Sequence, residues 1–182
     1  MGCGSGVLTK ELLDLGADVI AVDESPAMLE QAKSYLGVDS VEPRWIQGDA
    51  QSLPGLSSES MDGVLCSSVI EYVDRPPTLL GEIHRLLRPG GTLIISVPPR
   101  YSMVRTVQKI VRRSAGIFGQ ERYPDLAVSW FEIAPAKLNR WLDDAGFDLV
   151  GVTPFDAILP KPMVFPLRPS LMIIEAKRKQ TA

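Results

Sequence analysis

Two apolar patterns alternate along the chain. Short apolar, β-branched runs typical of buried strands lie near residues 18–22, 43–47, 61–67, 91–97, 147–153 and 170–177. Between most of them, apolar residues recur every three or four positions, which predicts helices at about 6–15, 26–36, 77–87 and 135–145. This alternation predicts an α/β fold, with a mostly parallel sheet and helices on both of its faces.

Local signals mark two of the predicted helix ends. Ser25 precedes Pro26, which is the usual order of an N-cap and the first helical residue. The sequence Pro89-Gly90-Gly91 predicts a turn that separates the helix at 77–87 from the strand at 91–97.

The segment from about 98 to 132 is longer than a usual connection in such a fold. Within it, residues 103–114 are amphipathic, because Val104, Val107 and Val111 share one helical face while basic residues share the other. We expect a surface helix with a solvated basic face. The alternatives are a lid over an acceptor pocket, a site for an anionic acceptor, or a helix on a membrane surface.

Composition narrows the class of protein. The chain has 182 residues, 23% of them charged, and a formal net charge of −3, which argues against nucleic acid as a partner. No basic and apolar leader is recognisable, so we expect no secretion signal. Cys3 and Cys66 do not resemble a disulfide framework, so we expect a cytoplasmic protein. No Cys/His cluster has metal-ligand spacing, and we expect no metal.

A glycine-rich turn opens the chain. Gly2, Gly4 and Gly6 precede the first predicted helix, and the strand after that helix ends in Asp23. Glycine turn, helix, strand and acidic residue is the order in which a nucleotide-binding half-domain builds a nucleoside pocket. A dinucleotide fingerprint would place its third glycine where this chain has Val7, and this disfavours an NAD-dependent oxidoreductase.

Three later segments follow in a recognisable order: 44–50, 61–73 and 82–96. With the glycine turn they resemble the class I S-adenosylmethionine (SAM)-dependent methyltransferases, strongly over residues 2–98 and more weakly through Trp130-Phe131 and 145–147. The resemblance implies a Rossmann-like fold in which the last two strands form a hairpin and the last strand is antiparallel. It also implies SAM as cofactor and S-adenosylhomocysteine as product.

The resemblance also implies roles for individual residues. The turn would pass under the methionine part and the ribose through Gly2, Cys3, Gly4 and Gly6. Asp23 would accept the ribose hydroxyls, although it could instead cap the helix that begins at Pro26. Met28 would cover an adenine face or pack in the core.

Residues after two later strands complete the implied cofactor site. Asp49, with Ala50 beside it, would bond the adenine amino group, although an ordinary turn aspartate is the alternative. Ser67 and Ser68 stand where ligands bind in open α/β sheets, but they could be simple turn hydroxyls.

No catalytic residue is evident. Related enzymes often carry a histidine after the fourth strand, where this chain has Glu71 and Tyr72. Tyr72 is a candidate for contacting the acceptor or the methyl group. The single histidine, His84, borders an apolar helical stripe, so we expect it to be exposed or half-buried in a structural position.

The resulting hypothesis is a SAM-dependent methyltransferase that acts at O, N or C of a small molecule, either apolar and lipid-like or anionic. The alternative is a non-catalytic binding or scaffold domain with the same fold. We expect one domain over residues 1–182, with an acceptor or lid insertion at about 98–132. Peripheral membrane contact through 103–114 is the less favoured interpretation.

The family's first strand should end just before Gly2, where this chain has only Met1. We therefore expect a domain that is incomplete at its N-terminus, most simply because the sequence is a fragment. Two alternatives are that another chain supplies the strand, or that the domain has kept the fold without catalysis.

Overall fold

Helices and strands alternate through the residues that the computed structural model describes, which are 1–37, 42–98, 134–155 and 171–180. The helices are α1 (Val7–Asp14), α2 (Pro26–Leu36), α3 (Pro76–Leu86) and α4 (Pro135–Asp144). The strands are β1 (Ile20–Asp23), β2 (Arg44–Gln47), β3 (Met61–Cys66), β4 (Leu87–Val97), β5 (Phe147–Phe155) and β6 (Leu171–Arg178). Predictions for residues 99–133, including the helix at 103–114, lie outside these ranges.

The strands form two sheets. In one, β1 and β2 pair in parallel; the other has the order β3-β4-β6-β5. β3 and β4 are parallel, whereas β6 is antiparallel to both of its neighbours. The predicted α/β class and the antiparallel last strand are confirmed.

The first residues of the chain lie between the two sheets. The Met1 ammonium donates to the Leu65 carbonyl of β3 at 2.8 Å, and the Cys3 amide donates to the Val22 carbonyl of β1 at 2.9 Å. In the described residues no strand ladder joins β1 to β3. Residues 1–3 therefore connect the two sheets only near the carboxyl ends of those strands.

Helix α3 anchors the main core. Leu79, Leu80 and Ile83 are fully buried and Leu86 nearly so, which follows the 3.6-residue period of a helix against a sheet. Each such side chain contributes roughly 1.5–3 kcal/mol by leaving water. The first three pack with apolar residues of β3, β4 and β6, to which α4 adds Leu138 and Leu142, whereas Leu86 packs in a second cluster with Val22, Leu53 and Leu56.

The structure contains both predicted helix boundaries. The Ser25 hydroxyl accepts from the Met28 amide at 3.3 Å, so the predicted N-cap of α2 is confirmed. The predicted end of the helix before Pro89-Gly90-Gly91 is also confirmed, because α3 ends at Leu86, but the next strand begins earlier than predicted, at Leu87, which pairs with Met61. Residues 88–91 form an irregularity within that strand, and Gly90 has a φ of 77°.

Glu82 and Arg85 tie α3 to the loop after β2. The Glu82 carboxylate accepts from the Leu53 amide at 2.7 Å and from the Arg85 guanidinium at 2.8 Å. Arg85 also donates to the Leu56 carbonyl at 2.9 Å. The hydrogen bond from Arg85 is the main cause that holds the pKa of Glu82 below its ordinary value.

We expect Glu82→Gln to flatten the acid dependence of stability. The pKa of Glu82 is lower in the folded state than in the unfolded state, so its charge stabilises the fold at pH values above the unfolded-state pKa. This stabilisation is lost as the pH falls through the folded-state pKa. The wild type should therefore lose more unfolding free energy than the variant below about pH 5. Urea unfolding at several pH values measures this. Glu30→Gln, at an exposed pair with Lys33, is the control, and equal slopes for wild type and Glu82→Gln would contradict the assignment.

Candidate functional site

A cavity of about 350 Å³ lies beyond the carboxyl ends of β1, β2 and β3. This is the edge where open α/β sheets bind ligands. The cavity is lined by Gly2, Gly4, Val22, Asp23, Glu24, Gly48, Asp49, Ala50, Ser67, Ser68, Val69, Tyr72 and Val73. Eight of the eleven candidate site residues inferred from the sequence are in this set: Gly2, Gly4, Asp23, Asp49, Ala50, Ser67, Ser68 and Tyr72.

The three glycines of the turn have different surroundings. A Cβ on Gly2 would lie 2.2 Å from Val69 Cγ2, so the turn touches the segment after β3. A Cβ on Gly4 would meet nothing within 4 Å, so its free side faces open space. Gly6 packs against α2, because its Cβ would lie 2.9 Å from Ala32 Cβ. All three have positive φ, which suits glycine.

Asp23 connects the glycine turn to the start of α2. Its Oδ2 accepts from the Gly4 amide at 2.8 Å, and its Oδ1 accepts from the Ser25 amide at 3.0 Å. Both carboxylate oxygens are thereby held at the cavity wall, and each keeps further acceptor capacity. Asp23 can thus support the start of α2, which was the alternative interpretation, and still accept hydrogen bonds from a ribose, as predicted.

Asp49 lies on the wall formed by the end of β2. Its Oδ1 accepts from the Gln51 amide at 2.8 Å, an Asx turn, and the Gly48 amide donates to the Asp23 carbonyl at 3.0 Å. The second bond fixes the end of β2 beside the end of β1. The two aspartates therefore line one cavity from neighbouring strands, although Asp49 is also the turn residue of the alternative interpretation.

The third wall is the turn after β3. Ser67 and Ser68 both line the cavity, and Ser68 has a φ of 53°, which is uncommon for a residue with a side chain. The Ser96 hydroxyl of β4 accepts from the Ser68 amide at 2.7 Å and lies 3.3 Å from Ser67 Oγ. The turn is thus held from the neighbouring strand.

The same wall continues through Val69, Tyr72 and Val73. Tyr72 is the aromatic side chain of the described lining residues, and about half of it is exposed. The adjacent Glu71 is buried at 2% exposure and does not line the cavity. The structure thus places Tyr72, and not Glu71, on the wall of the cavity.

Some candidate residues lie outside the cavity lining. Cys3 and Gly6 belong to the turn backbone, and Met28 is partly exposed on α2. Their cofactor contacts stay predictions. His84 is half-buried, with its ring 5.7 Å from that of Phe147, in agreement with a structural role.

Sequence reasoning did not single out five lining residues, Val22, Glu24, Gly48, Val69 and Val73. Each of these five residues is adjacent in sequence to a residue that was predicted for the site. The signal that could have found them is therefore proximity to strand ends. Glu24 matters most, because it adds a third carboxylate to Asp23 and Asp49, whereas no lysine or arginine is present among the described lining residues.

The two cysteines are free thiols with different burial. Burial, followed by the charge of Asp23, raises the pKa of Cys3, and burial raises the pKa of Cys66 to about 11. We expect iodoacetamide at about pH 8 to label Cys66 only after unfolding and Cys3 more slowly than free cysteine, because thiolate is the reactive form. Mass spectrometry measures this. Asp23→Asn should speed labelling of Cys3, and an unchanged rate would contradict the proposed influence of Asp23.

The described ranges contain neither a membrane-spanning helix nor a cluster of metal ligands. No helix there is long and apolar enough to cross a membrane. Nor do three His, Cys, Asp or Glu side chains converge there in a way that could hold a metal ion.

Comparison with known families identifies the class of this chain. A family model described as a methyltransferase domain matches residues 1–95, just over half of the sequence. The chain belongs to this family, and its predicted membership in the class I SAM-dependent methyltransferases is confirmed. The match includes all of the described lining residues.

Curated relatives include two ubiquinone biosynthesis O-methyltransferases. The one from Methylococcus capsulatus is 29% identical over 154 residues, and the one from Xanthomonas oryzae pv. oryzae is 29% identical over 157. Each alignment covers 84% of this chain and 63% of the relative. The chain thus spans less than two thirds of the length of these relatives.

Solved structures share the fold. Magnesium protoporphyrin IX methyltransferase from Synechocystis PCC 6803, with bound S-adenosylhomocysteine, superposes with a TM-score of 0.71 at 21% identity, over 98% of this chain and 72% of that one. A SAM-dependent methyltransferase from Mesorhizobium loti gives 0.71 at 21% identity, over 97% and 88%. At this identity the similarity concerns the fold alone, and it confirms the Rossmann-like arrangement.

Proposed function

We propose that this protein is a SAM-dependent methyltransferase that acts on an oxygen atom of a small-molecule acceptor. One observation carries the proposal: the glycine turn and two aspartates from neighbouring strand ends line the same cavity. Family membership supports the reaction class. The names of the curated relatives, which are O-methyltransferases, support oxygen as the methylated atom.

The residues of the cavity fit a nucleoside that lacks phosphate. Asp23 offers acceptor capacity for ribose hydroxyls, and Asp49 offers it for an exocyclic amino group. Gly4 leaves the cavity open beside the turn. Three carboxylates without a basic partner among the described lining residues suit a cationic donor and disfavour a pyrophosphate, which argues against NAD.

When bound, SAM supplies a methyl group that its sulfonium already activates. The chain then has to orient donor and acceptor in line and to keep water away. Val69 and Val73 give the cavity an apolar side, and Tyr72 lies there with a partly exposed ring. We assign Tyr72 the role of positioning the acceptor. Methylation of a hydroxyl also releases a proton.

The acceptor assignment is tested with radiolabelled SAM and matched phenol, aniline and carboxylic acid acceptors. We expect the phenols to be labelled first, and Tyr72→Phe and Tyr72→Ala should raise KM for them more than they lower kcat. Labelling of the anilines alone would overturn the assignment of oxygen. Binding of S-adenosylhomocysteine without any transfer by a complete domain would favour the non-catalytic alternative.

We further propose that a strand not supplied by residues 1–182 completes the sheet between β1 and β3. The facing edges of these two strands carry no ladder in the described residues, and residues 1–3 bond to both strands near the cavity. Unpaired strand edges are costly when buried and prone to association when exposed. A polypeptide extended upstream supplies such a strand most simply; a second chain is the alternative.

A further inference from the structure

We infer that Ser96, which the proposed cofactor site does not include, is a positioning residue that sets the cavity wall at Ser67 and Ser68. Ser96 lies on β4 and is only 5% exposed. Its hydroxyl contacts two consecutive residues of the turn after β3, and both of them line the cavity. This inference rests on the proposed function, because it specifies how one wall of that site is built.

The backbone of the turn shows why it needs external support. Ser68 has a φ of 53°, in the left-handed region that L residues with side chains rarely adopt. Such a conformation persists where surrounding contacts determine it. Here the contact is the Ser68 amide, which donates to Ser96 Oγ at 2.7 Å.

The same hydroxyl orients Ser67. Ser96 Oγ accepts a hydrogen bond from the Ser68 amide, so the hydroxyl hydrogen of Ser96 is free to be donated. In the described part of the chain, the hydrogen-bond partner of this hydroxyl is Ser67 Oγ, at a distance of 3.3 Å. A hydroxyl carries one donor hydrogen and two acceptor lone pairs. If Ser96 donates to Ser67, the hydrogen of Ser67 is left for the cavity. Ser67 then acts as a hydrogen-bond donor toward an acceptor atom of the ligand.

This wall also supports the glycine turn. Val69 follows Ser68 directly. Its side chain packs against Gly2 so closely that a Cβ on Gly2 would lie only 2.2 Å from Val69 Cγ2. A shift of the turn after β3 would therefore move the side chain against which Gly2 packs. Ser96 thus affects two walls of the cavity through one hydroxyl.

The first test needs no ligand. In Ser96→Ala we expect the Ser68 amide to exchange with solvent at least about tenfold faster by ¹⁵N NMR, because its acceptor is gone. Ser96→Thr, which keeps the hydroxyl, should restore protection. Ser60→Ala is the matched control, because it removes a hydroxyl bonded to the Ser57 carbonyl at 2.6 Å on an exposed loop. Unchanged exchange of Ser68 in Ser96→Ala would overturn the inference.

The second test measures calorimetric affinity for S-adenosylhomocysteine. Ser96→Ala and Ser67→Ala should each lower the affinity about five- to tenfold. The double variant should bind almost as tightly as the single variant with the lower affinity, because both substitutions act on the same contact. Additive losses would show that Ser96 does not act through Ser67. If neither the wild-type chain nor its upstream-extended form binds, the proposed function fails, whereas the exchange measurement still decides whether Ser96 holds the turn.

Discussion

Asp23→Ala is expected to weaken binding of S-adenosylhomocysteine by about 100-fold or more. Each hydrogen bond to a charged group contributes roughly 1.5–3 kcal/mol, and a ribose offers two hydroxyls to this carboxylate. The substitution also removes the acceptor of the Gly4 and Ser25 amides, so the glycine turn and the start of α2 lose their connection. Calorimetric titration measures the affinity, and circular dichroism shows whether the variant is folded.

Two further aspartates provide the comparison. Asp49→Ala should weaken binding by about tenfold, because one hydrogen bond to the base is lost. Asp62→Ala should change nothing, because its side chain is 86% exposed and pairs with Arg88 at the surface. Affinities for Asp23→Ala and Asp49→Ala that equal that of Asp62→Ala would contradict the assigned site.

Gly6→Ala is expected to lower stability by about 3 kcal/mol or more. Gly6 has a φ of 86°, and a Cβ there would lie 2.9 Å from Ala32 Cβ and 3.1 Å from Leu36 Cδ1. Left-handed strain and overpacking of α1 against α2 act together. In a domain of this size the melting temperature should fall by about 6 to 12 °C. Differential scanning calorimetry measures the change.

Gly4→Ala is the matched variant in the same turn. A Cβ on Gly4 would meet nothing within 4 Å, so we expect only the cost of left-handed strain, about 1–2 kcal/mol. Its added methyl group would instead occupy cavity space, so binding of S-adenosylhomocysteine should weaken more than in Gly6→Ala. The reverse order of effects on stability would contradict the separate roles of the two glycines.

The sequence predicted most of the described elements because their signals are local. The helix at 26–36 matches α2, where the Ser25-Pro26 cap and the apolar period agree. The strand predicted at 91–97 begins earlier, because Leu87 pairs with Met61, a contact distant in sequence that local turn propensity does not contain.

The cavity was predictable in part for a related reason. Strand ends and glycine spacing, together with the family resemblance, identified Gly4, Asp23, Asp49 and Ser67, because a parallel sheet brings such positions to one edge. Ser96 was not predicted, since it lies inside a strand and acts across the sheet. Likewise, only the packing of α1 on α2 separates the role of Gly6 from that of Gly4.

The most direct test is calorimetric titration of S-adenosylhomocysteine into two folded proteins, this chain and a form extended upstream by about 30 to 40 residues, the length of a strand with its helix. The proposed function predicts saturable binding at one site in the extended form, lost in its Asp23→Ala variant. Binding by the extended form alone would also support the added strand between β1 and β3. Absence of binding in both proteins, with both folded, would contradict the proposed methyltransferase function.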